Sequence, residues 1–189
     1  MRRQDSYRAN VKNASGPDAD GNGGPPSLAA NDSGAFPIRI ARDGVWFYQG
    51  SPIRRTELAR LFSTVLRRDA DGRYWLETPA ERGTIEVDDA PFTAVELAAE
   101  GEGRGMVLCF RNNFDEWVTA GPDHPITVTF DPASGEPSPY IRVRDRLDAL
   151  IVRSVFYELV DIAAPVQRGG RRVLGVWSDG VFFELGECG

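Results

Sequence analysis

The only histidine in the sequence, His124, lies in the stretch "WVTAGPDHPITV" and is the side chain best suited to acid–base chemistry near neutral pH. As a general base it would need a nucleophile, yet no "GxSxG" elbow occurs. Cys109 lies in the apolar run "GMVLCF", where burial keeps a thiol protonated and inert. The turn residues of "GPDHP" favour another role, in which the imidazole hydrogen-bonds a neighbouring backbone group. The local sequence therefore predicts a structural role for His124.

Carboxylates form the second group of residues that could do chemistry. Glu86, Asp88 and Asp89 stand in "TIEVDDAPF", and Glu81 precedes them in "TPAERG". On a strand, alternation sends Glu86 and Asp88 to one face and Asp89 to the other. Exposed strand edges often carry such charges, but a hydrolase could also use them. The enzyme alternative is Glu81 or Asp89 acting with His124 as general acid and base.

Several other chemistries are opposed by composition. Lys12 is the only lysine, so the rest of the chain holds no P-loop lysine and no Schiff-base residue. One histidine and two separated cysteines, Cys109 and Cys188, do not make a zinc site of the usual kind. The glycine-rich "GEGRGM" leads into a strand and is predicted to be a hairpin loop. We therefore expect no metal and no cofactor.

The net charge and the hydropathy limit the classes of partner and the location that can be expected. A net charge of −6 and a pI near 4.9 repel polyanions, so no nucleic-acid binding is expected. The basic stretch "QRGGRR" is interpreted as a solvated turn between strands. The sequence has no secretory signal and no apolar run of about 18 residues that could span a bilayer. A cytoplasmic location is expected.

The elements that must position these residues begin after a predicted disordered tail at residues 1–35, which is rich in Gly, Pro, Asn, Asp and Ser. Next, "FPIRIARDGVWFYQGSPI" predicts two strands joined at Asp43-Gly44. The stretch "RRTELARLFSTVLRRD" predicts a helix, followed by a turn at Asp71-Gly72 and a strand. The inner face of this helix is predicted to carry Leu58, Leu61, Phe62 and Val65.

The same order returns about 90 residues later, which favours duplication of one unit. "HPITVTFDPASGEPSPYIRV" predicts two strands, residues 144–163 a helix, and "RRVLGVWSDGVFFELGE" two strands around Asp179-Gly180. Four more strands are predicted in "GTIEVDDAPFTAVELA" and "GMVLCFRNNFDEWVTA". The fold class is α+β, with mainly antiparallel sheet and two helices. The expected domains are residues 36–100 and 101–189.

The predicted second helix carries an unusual arginine. Leu147, Ile151, Val155 and Leu159 mark one of its faces, and a second apolar row lies nearly opposite. Both sides of the helix should then be covered, which would bury Arg153. A buried guanidinium needs either a carboxylate partner or an anionic ligand, and both interpretations stay open.

Four stretches together resemble the bacterial family catalogued as domain of unknown function 1285 over about residues 36–187. They are "DGVWFYQGSPIRRTELARLF", "YWLETPAERGTIEVDDAPF", "RNNFDEWVTAGPDHPI" and "PYIRVRDRLDALIVRSVFYELV". The resemblance implies two related α+β domains, the second loosely similar to a pleckstrin-homology fold. It also implies a binding site at the domain interface and a signalling role, without an established activity.

The resemblance extends to single positions. The family-like positions are Arg55, Thr78, Pro79, Glu81, Asp89, Asn113, His124, Pro125, Arg144 and Arg153. Among them, the expected ligand-binding residues are Arg55, Glu81, Asp89, Asn113, His124, Arg144 and Arg153. Asn112 stands where the family favours Thr, which removes a hydroxyl. Arg82 stands where the family commonly has Lys, which keeps the charge but not lysine chemistry.

Three hypotheses follow. The first is a non-enzymatic binding module, whose interdomain cleft takes a small polar or anionic molecule or a peptide. Its expected lining is Arg55, Glu81, Asn113, His124 and Arg153. The second is the acid–base enzyme described above. The third is a structural or regulatory partner protein, which should expose an apolar patch instead of a pocket.

Overall fold

A computed structural model describes residues 31–187 of the chain. Most of the predicted tail lies outside these residues, and the first strand already begins at Asn31. The first half of the described part contains one helix, α1 (Thr56–Thr64), and seven strands. These strands are β1 (Asn31–Ile40), β2 (Trp46–Tyr48), β3 (Ser51–Pro52), β4 (Leu66–Arg68), β5 (Tyr74–Glu77), β6 (Glu81–Val87) and β7 (Phe92–Glu100).

The second half contains a short 3-10 turn at Gly103–Gly105, one helix, α2 (Arg153–Asp161), and eight strands. These strands are β8 (Val107–Asn112), β9 (Trp117–Thr119), β10 (Ile126–Phe130), β11 (Pro137–Arg144), β12 (Leu147–Ile151), β13 (Ala164–Arg168), β14 (Arg171–Ser178) and β15 (Val181–Glu187). The described chain is therefore mostly sheet with two helices, as predicted.

The strands form three sheets. Two have six strands, in the orders β3-β2-β1-β6-β5-β4 and β10-β11-β12-β7-β8-β9, and the third has the order β13-β14-β15. Within residues 31–187, the parallel strand pairs are β1 with β6 and β7 with β12, and the other pairs are antiparallel. The first sheet ends at Val87, and the second begins at Phe92.

Local turn chemistry predicted the hairpins correctly. Asp43-Gly44 joins β1 to β2, and Asp71-Gly72 joins β4 to β5. Asp179-Gly180 joins β14 to β15 with φ of 46° and 72°, because a tight hairpin requires left-handed residues at these positions. The four strands predicted between the helix-containing units are β6, β7, β8 and β9. The "GEGRGM" stretch is the connection of the β7–β8 hairpin.

The single long helix predicted over residues 144–163 is wrong. Its first part is the strand β12, in which Leu147, Ala149 and Ile151 are buried in alternation. Only the part from Arg153 is helical, and Val155 and Leu159 form its buried row. Residues 147 and 151 are four apart, a spacing that fits a helix face and also every second residue of a strand. The buried central strand therefore looked like a helical turn.

The predicted inner face of the first helix is wrong for two of its four residues, because Phe62 and Val65 pack against the core but Leu58 and Leu61 do not. Leu58 and Leu61 are exposed by 39% and 61%, whereas Ala59 and Ser63 are buried. Phe62 is half-buried and stacks on Trp46 with ring centroids 6.3 Å apart. The small side chains Ala59 and Ser63 face the protein, whereas Leu58 and Phe62 line an open groove.

The order of three strands, a helix and three strands occurs twice, first in β1–β6 with α1 and again in β10–β15 with α2. The two Asp-Gly turns that follow the helices are not equivalent, however. Asp71-Gly72 lies in the first hairpin after α1, whereas Asp179-Gly180 lies in the second hairpin after α2. Duplication of one unit stays a prediction.

An aromatic cluster joins the first and second sheets. Trp46 of β2 lies edge-on to Phe114, with ring centroids 6.4 Å apart, and Phe114 is perpendicular to Phe92 at 6.0 Å. All three side chains are at most 7% exposed. Edge-to-face pairs of this kind add to the free energy of burial itself. The two sheets therefore share one core, which fixes how their loops face each other.

Candidate functional site

His124 lies in the turn before β10 and is half-buried. Its Nδ1 atom is 3.0 Å from the carbonyl oxygen of Arg142 on β11, and its own carbonyl oxygen accepts a hydrogen bond from the amide of Gly121. The imidazole thus ties the turn to the neighbouring strand. These contacts match the structural role that the turn residues predicted.

Asp89 links the two sheets. Its Oδ1 atom accepts a hydrogen bond of 2.7 Å from the hydroxyl of Tyr140, and its Oδ2 atom is 3.2 Å from Nε of Arg42. Burial and the hydrogen bond to Asp89 raise the pKa of Tyr140. The carboxylate is only 18% exposed and is occupied by these two partners. Asp89 therefore holds Arg42 in place.

Asn113 supports the same interface from the second sheet. Its Oδ1 atom accepts a hydrogen bond from the amide of Thr93, and its Nδ2 atom donates to the carbonyl of Gly44. A Cβ atom at Gly44 would lie only 3.0 Å from that Nδ2 atom, and the φ of Gly44 is 82°. Both the close contact and the positive φ therefore favour glycine at this position. The preceding Asn112 is buried, and its Oδ1 atom accepts from the amides of Phe114 and Glu116.

Arg144 is surrounded by partners. It forms an ion pair of 3.0 Å with Glu116, donates 2.8 Å to the carbonyl oxygen of Ser63, and lies 5.1 Å above the ring of Phe92. Nearby, Arg60 of α1 donates a hydrogen bond to the carbonyl oxygen of Phe114. These contacts join α1 to the second sheet. Arg144 is thus part of the interface itself.

Arg153 is exposed, which corrects the expected burial. It is the first residue of α2, its side chain is 72% exposed, and it forms an ion pair of 3.0 Å with Glu136. The prediction failed because Arg153 belongs to the helix start and not to the middle of a covered helix. A carboxylate is its partner, as one of the two interpretations required.

Arg153 and Glu136 lie at a pocket of about 400 Å³, here called the interdomain cleft. Arg42 from the β1–β2 connection closes one side of it. The remaining lining is mostly apolar and consists of Pro137, Pro139, Leu150, Ile151, Val152, Phe156 and Tyr157. The cleft therefore combines an apolar floor with two cations and one carboxylate.

Sequence reasoning missed Arg42, Glu136 and Phe156 as cleft residues. Arg42 and Glu136 are 94 positions apart in the sequence, so only the packing of the sheets brings them together. One local signal was present, because the adjacent aromatic residues at 156 and 157 cannot both face the core of a helix. Tyr157 is in fact 57% exposed.

The other expected site residues lie elsewhere. Arg55 precedes α1 and lines a separate apolar groove with Tyr48, Ile53, Leu58 and Phe62. An exposed apolar surface is what the partner-protein hypothesis predicts, and that hypothesis stays open.

Glu81 begins β6, and its backbone forms the β5–β6 turn with Thr78. Arg82 stacks over Trp75, with 4.0 Å from the guanidinium carbon to the ring centroid. The structure therefore distributes the expected residues over several places.

The remaining carboxylates and cysteines considered for catalysis have the following positions. Glu86 of β6 is exposed. Asp88 and Asp89 follow the end of β6, so strand alternation does not place them; Asp88 is exposed and pairs with Arg39 at 2.5 Å, and Asp89 is half-buried. Cys109 is half-buried, 3.3 Å from the hydroxyl of Thr119; Cys188 lies outside the described residues. Within residues 31–187, no three His, Cys, Asp or Glu side chains cluster as metal ligands. Neither described helix is long and apolar enough to cross a membrane.

The class is now defined as a mostly-β protein of two tandem domains with a shared aromatic core and a cleft at their interface. Family models for the N-terminal and C-terminal domains of DUF1285, a domain of unknown function, match residues 28–90 and 91–185. The chain belongs to the DUF1285 family. Both six-stranded sheets agree with this division, since they meet between Val87 and Phe92.

Solved structures of the family are similar to this chain. A DUF1285 family protein from Silicibacter pomeroyi DSS-3 is 44% identical, with a TM-score of 0.77, covering 89% of this chain and 90% of that one. Another from Shewanella baltica OS155 is 22% identical, with a TM-score of 0.52, covering 66% of this chain and 91% of that one, and shows the fold alone. No curated protein matches the chain.

Proposed function

We propose that the protein is a non-enzymatic binding module, and that the interdomain cleft takes a small anionic molecule with an apolar part. The observation that carries this proposal is that Arg42 from the first domain and Arg153 from the second line the same cleft, whose floor is apolar. Pockets with mostly apolar walls and a few polar groups are typical binding sites for small molecules.

The charges of the cleft support an anion. Arg153 is held by the exposed Glu136 in an ion pair, and such pairs contribute little to stability. An incoming carboxylate or phosphate could therefore replace Glu136 at low cost. Arg42 is held by Asp89 through its Nε atom, and its Nη2 atom donates a hydrogen bond of 3.3 Å to Ser138. Its remaining N–H groups lie near the cleft. Arg42 is therefore oriented before a ligand binds, whereas Arg153 can exchange Glu136 for the ligand.

A site between domains also fits the signalling role that the family resemblance implies, since a bound molecule would contact both domains. The pleckstrin-homology likeness of the second domain belongs to the same proposal. The acid–base alternative has less support, because the imidazole of His124 is bonded to a backbone carbonyl and the Asp89 carboxylate to Arg42 and Tyr140.

A thermal-shift screen of small anionic metabolites tests the proposal. A compound at 100 times its dissociation constant adds about 2.7 kcal/mol, or roughly 5–10 °C for a chain of this size. We expect at least one such compound to lose its effect with Arg153→Ala and to keep it with Arg172→Ala, a matched change in the exposed "QRGGRR" turn. A compound that stabilises all three proteins equally, or a screen without any shift, contradicts the proposal.

A further inference from the structure

A second pocket, separate from the interdomain cleft, is lined mainly by arginines. It has a volume of about 550 Å³ and lies where β4 of the first domain meets the β11–β12 hairpin of the second. We call it the arginine pocket, and its lining is Arg67, Arg68, Arg142, Asp145, Arg146 and Leu147. Such a concentration of cations is unexpected in a chain with a net charge of −6.

Two of the four guanidinium groups are fixed in place. Arg142 donates from Nε to Asp148 at 2.5 Å and from Nη1 to the carbonyl oxygen of Asp145 at 2.8 Å. Arg68 lies 3.8 Å from the same Asp148 and stacks over Tyr74. A guanidinium has five N–H groups, so each of these arginines keeps further donors. Asp148 thus orients two cations without neutralising the pocket.

The other two guanidinium groups, those of Arg67 and Arg146, form no ion pair within residues 31–187. Arg67 donates from Nη1 to the carbonyl oxygens of Thr64 and Leu66. Arg146 is exposed at the hairpin turn and has no hydrogen bond or ion pair with any residue in 31–187. Like charges at close range repel each other unless an anion lies between them. The pocket therefore has four cations against the two carboxylates of Asp145 and Asp148, and an excess of N–H donors.

We infer that the arginine pocket is an anion site for a small polyphosphate, such as a nucleoside diphosphate or triphosphate bound through its phosphate groups. Arginine forks match phosphate oxygens in bidentate geometry. A planar carboxylate occupies one or two forks, whereas linked tetrahedral phosphates can reach guanidinium groups on opposite sides of a pocket. No aromatic ring lines the pocket to stack a base, so recognition falls on the phosphates. The net negative charge disfavours a long polyanion such as nucleic acid.

Calorimetric titration of the full chain with tripolyphosphate, in buffer without divalent ions, tests the inference. The wild-type protein should bind it, and Arg146→Glu should weaken binding by about tenfold or more, since a hydrogen-bonded charge contact is lost and repulsion replaces it. Arg172→Glu, the same charge change on another exposed hairpin, should alter the affinity by less than about threefold, because distant exposed charges are screened by salt. Arg146→Gln serves as a milder variant, with folding checked by circular dichroism.

Each contrary result has a clear meaning. Absence of binding to the wild-type protein, or equal losses with the changes at Arg146 and Arg172, would overturn the site. Orthophosphate binding as tightly as tripolyphosphate would overturn the polyphosphate class, and tighter binding of a single-stranded oligonucleotide would overturn the preference for a small ligand. Arg153→Ala should leave tripolyphosphate binding unchanged. A failure of the polyphosphate site can therefore be told apart from a failure of the proposed ligand site in the interdomain cleft.

Discussion

The guanidinium of Arg144 in the second sheet donates a hydrogen bond of 2.8 Å to the carbonyl oxygen of Ser63 in the last turn of α1. The last carbonyl groups of a helix have no partner within the helix and carry partial negative charge. The last turn of α1 itself contains no basic residue. Arg144 supplies this cation from the other domain, while Glu116 holds it at 3.0 Å.

Replacing Arg144 by Ala should therefore weaken the link between the domains. We expect the free energy of unfolding to fall by about 1.5–3 kcal/mol, the usual contribution of hydrogen bonds to charged groups. Urea denaturation measures the change. Arg172→Ala, which removes an exposed arginine of the β13–β14 hairpin, should stay within about 0.5 kcal/mol of the wild type. Equal stability of the two variants would mean that Arg144 does not join the domains.

The corrected helix faces give a second prediction. Leu159 of α2 is fully buried, whereas Leu61 of α1 is 61% exposed. Leu159→Ala should cost about 2–5 kcal/mol through lost burial and a residual cavity. Leu61→Ala should change stability by less than about 0.5 kcal/mol, as is usual for surface positions. Chemical denaturation of both variants checks this, and a large loss with Leu61→Ala would restore the face that the spacing of leucines predicted.

The difference between predicted and observed helices has a physical origin. Strands and turns were predictable because alternation and Asp-Gly pairs act over a few residues, as at Asp43-Gly44. β12 was missed because its buried residues Leu147 and Ile151 also have the i, i+4 spacing of a helix face, and the residues of α2 continue that spacing. Only its pairing with β7 and β11 fixes Leu147–Ile151 as a strand, and such pairing is not visible locally.

The candidate site was less predictable than the fold. Family resemblance suggested Asp89 and Arg153 as candidates, but their surroundings depend on partners distant in sequence, such as Arg42 and Glu136. The arginine pocket had no sequence signal, since Arg67 and Arg146 are 79 positions apart. Short basic stretches are visible in a sequence, whereas a basic pocket assembled from two domains is not.

Tyr140→Phe tests the hydrogen bond that ties β11 to Asp89. Loss of the hydroxyl leaves Asp89 with Arg42 alone, so we expect about 1–3 kcal/mol of destabilisation near neutral pH. The pKa of Tyr140 is raised above 10.0 in the folded protein, mainly by burial. Its contribution is therefore fully present below pH 10.0 and is lost as the pH rises through the folded-state pKa.

Urea denaturation at neutral and alkaline pH measures both effects. The stability difference between the wild type and Tyr140→Phe should shrink once the pH exceeds 10.0. Because Tyr74 also has a raised pKa and is present in both proteins, its effect cancels in the comparison. A difference that stays constant across this range would mean that the hydroxyl does not govern the alkaline loss.

Asp69 should control part of the acid stability of the β4–β5 hairpin. Its pKa is lowered from 3.8 to about 2, first by a hydrogen bond from Nε1 of Trp75 and then by bonds from Arg73. Between these two pH values the unfolded chain binds more protons at this position than the folded chain. The contribution of Asp69 is therefore fully present above pH 3.8 and is lost as the pH falls through about 2.

Asp69→Asn keeps an acceptor for Trp75 but removes the titrating group. The wild type should be the more stable protein above pH 3.8, and the difference should diminish as the pH falls towards about 2. Urea denaturation followed by tryptophan fluorescence measures it. Asp131, whose pKa is lowered by hydrogen bonds from Ser134, is present in both proteins and cancels. A stability difference that grows on acidification would contradict the assigned direction of the shift, because a carboxylate with a lowered pKa can only lose its advantage as it becomes protonated.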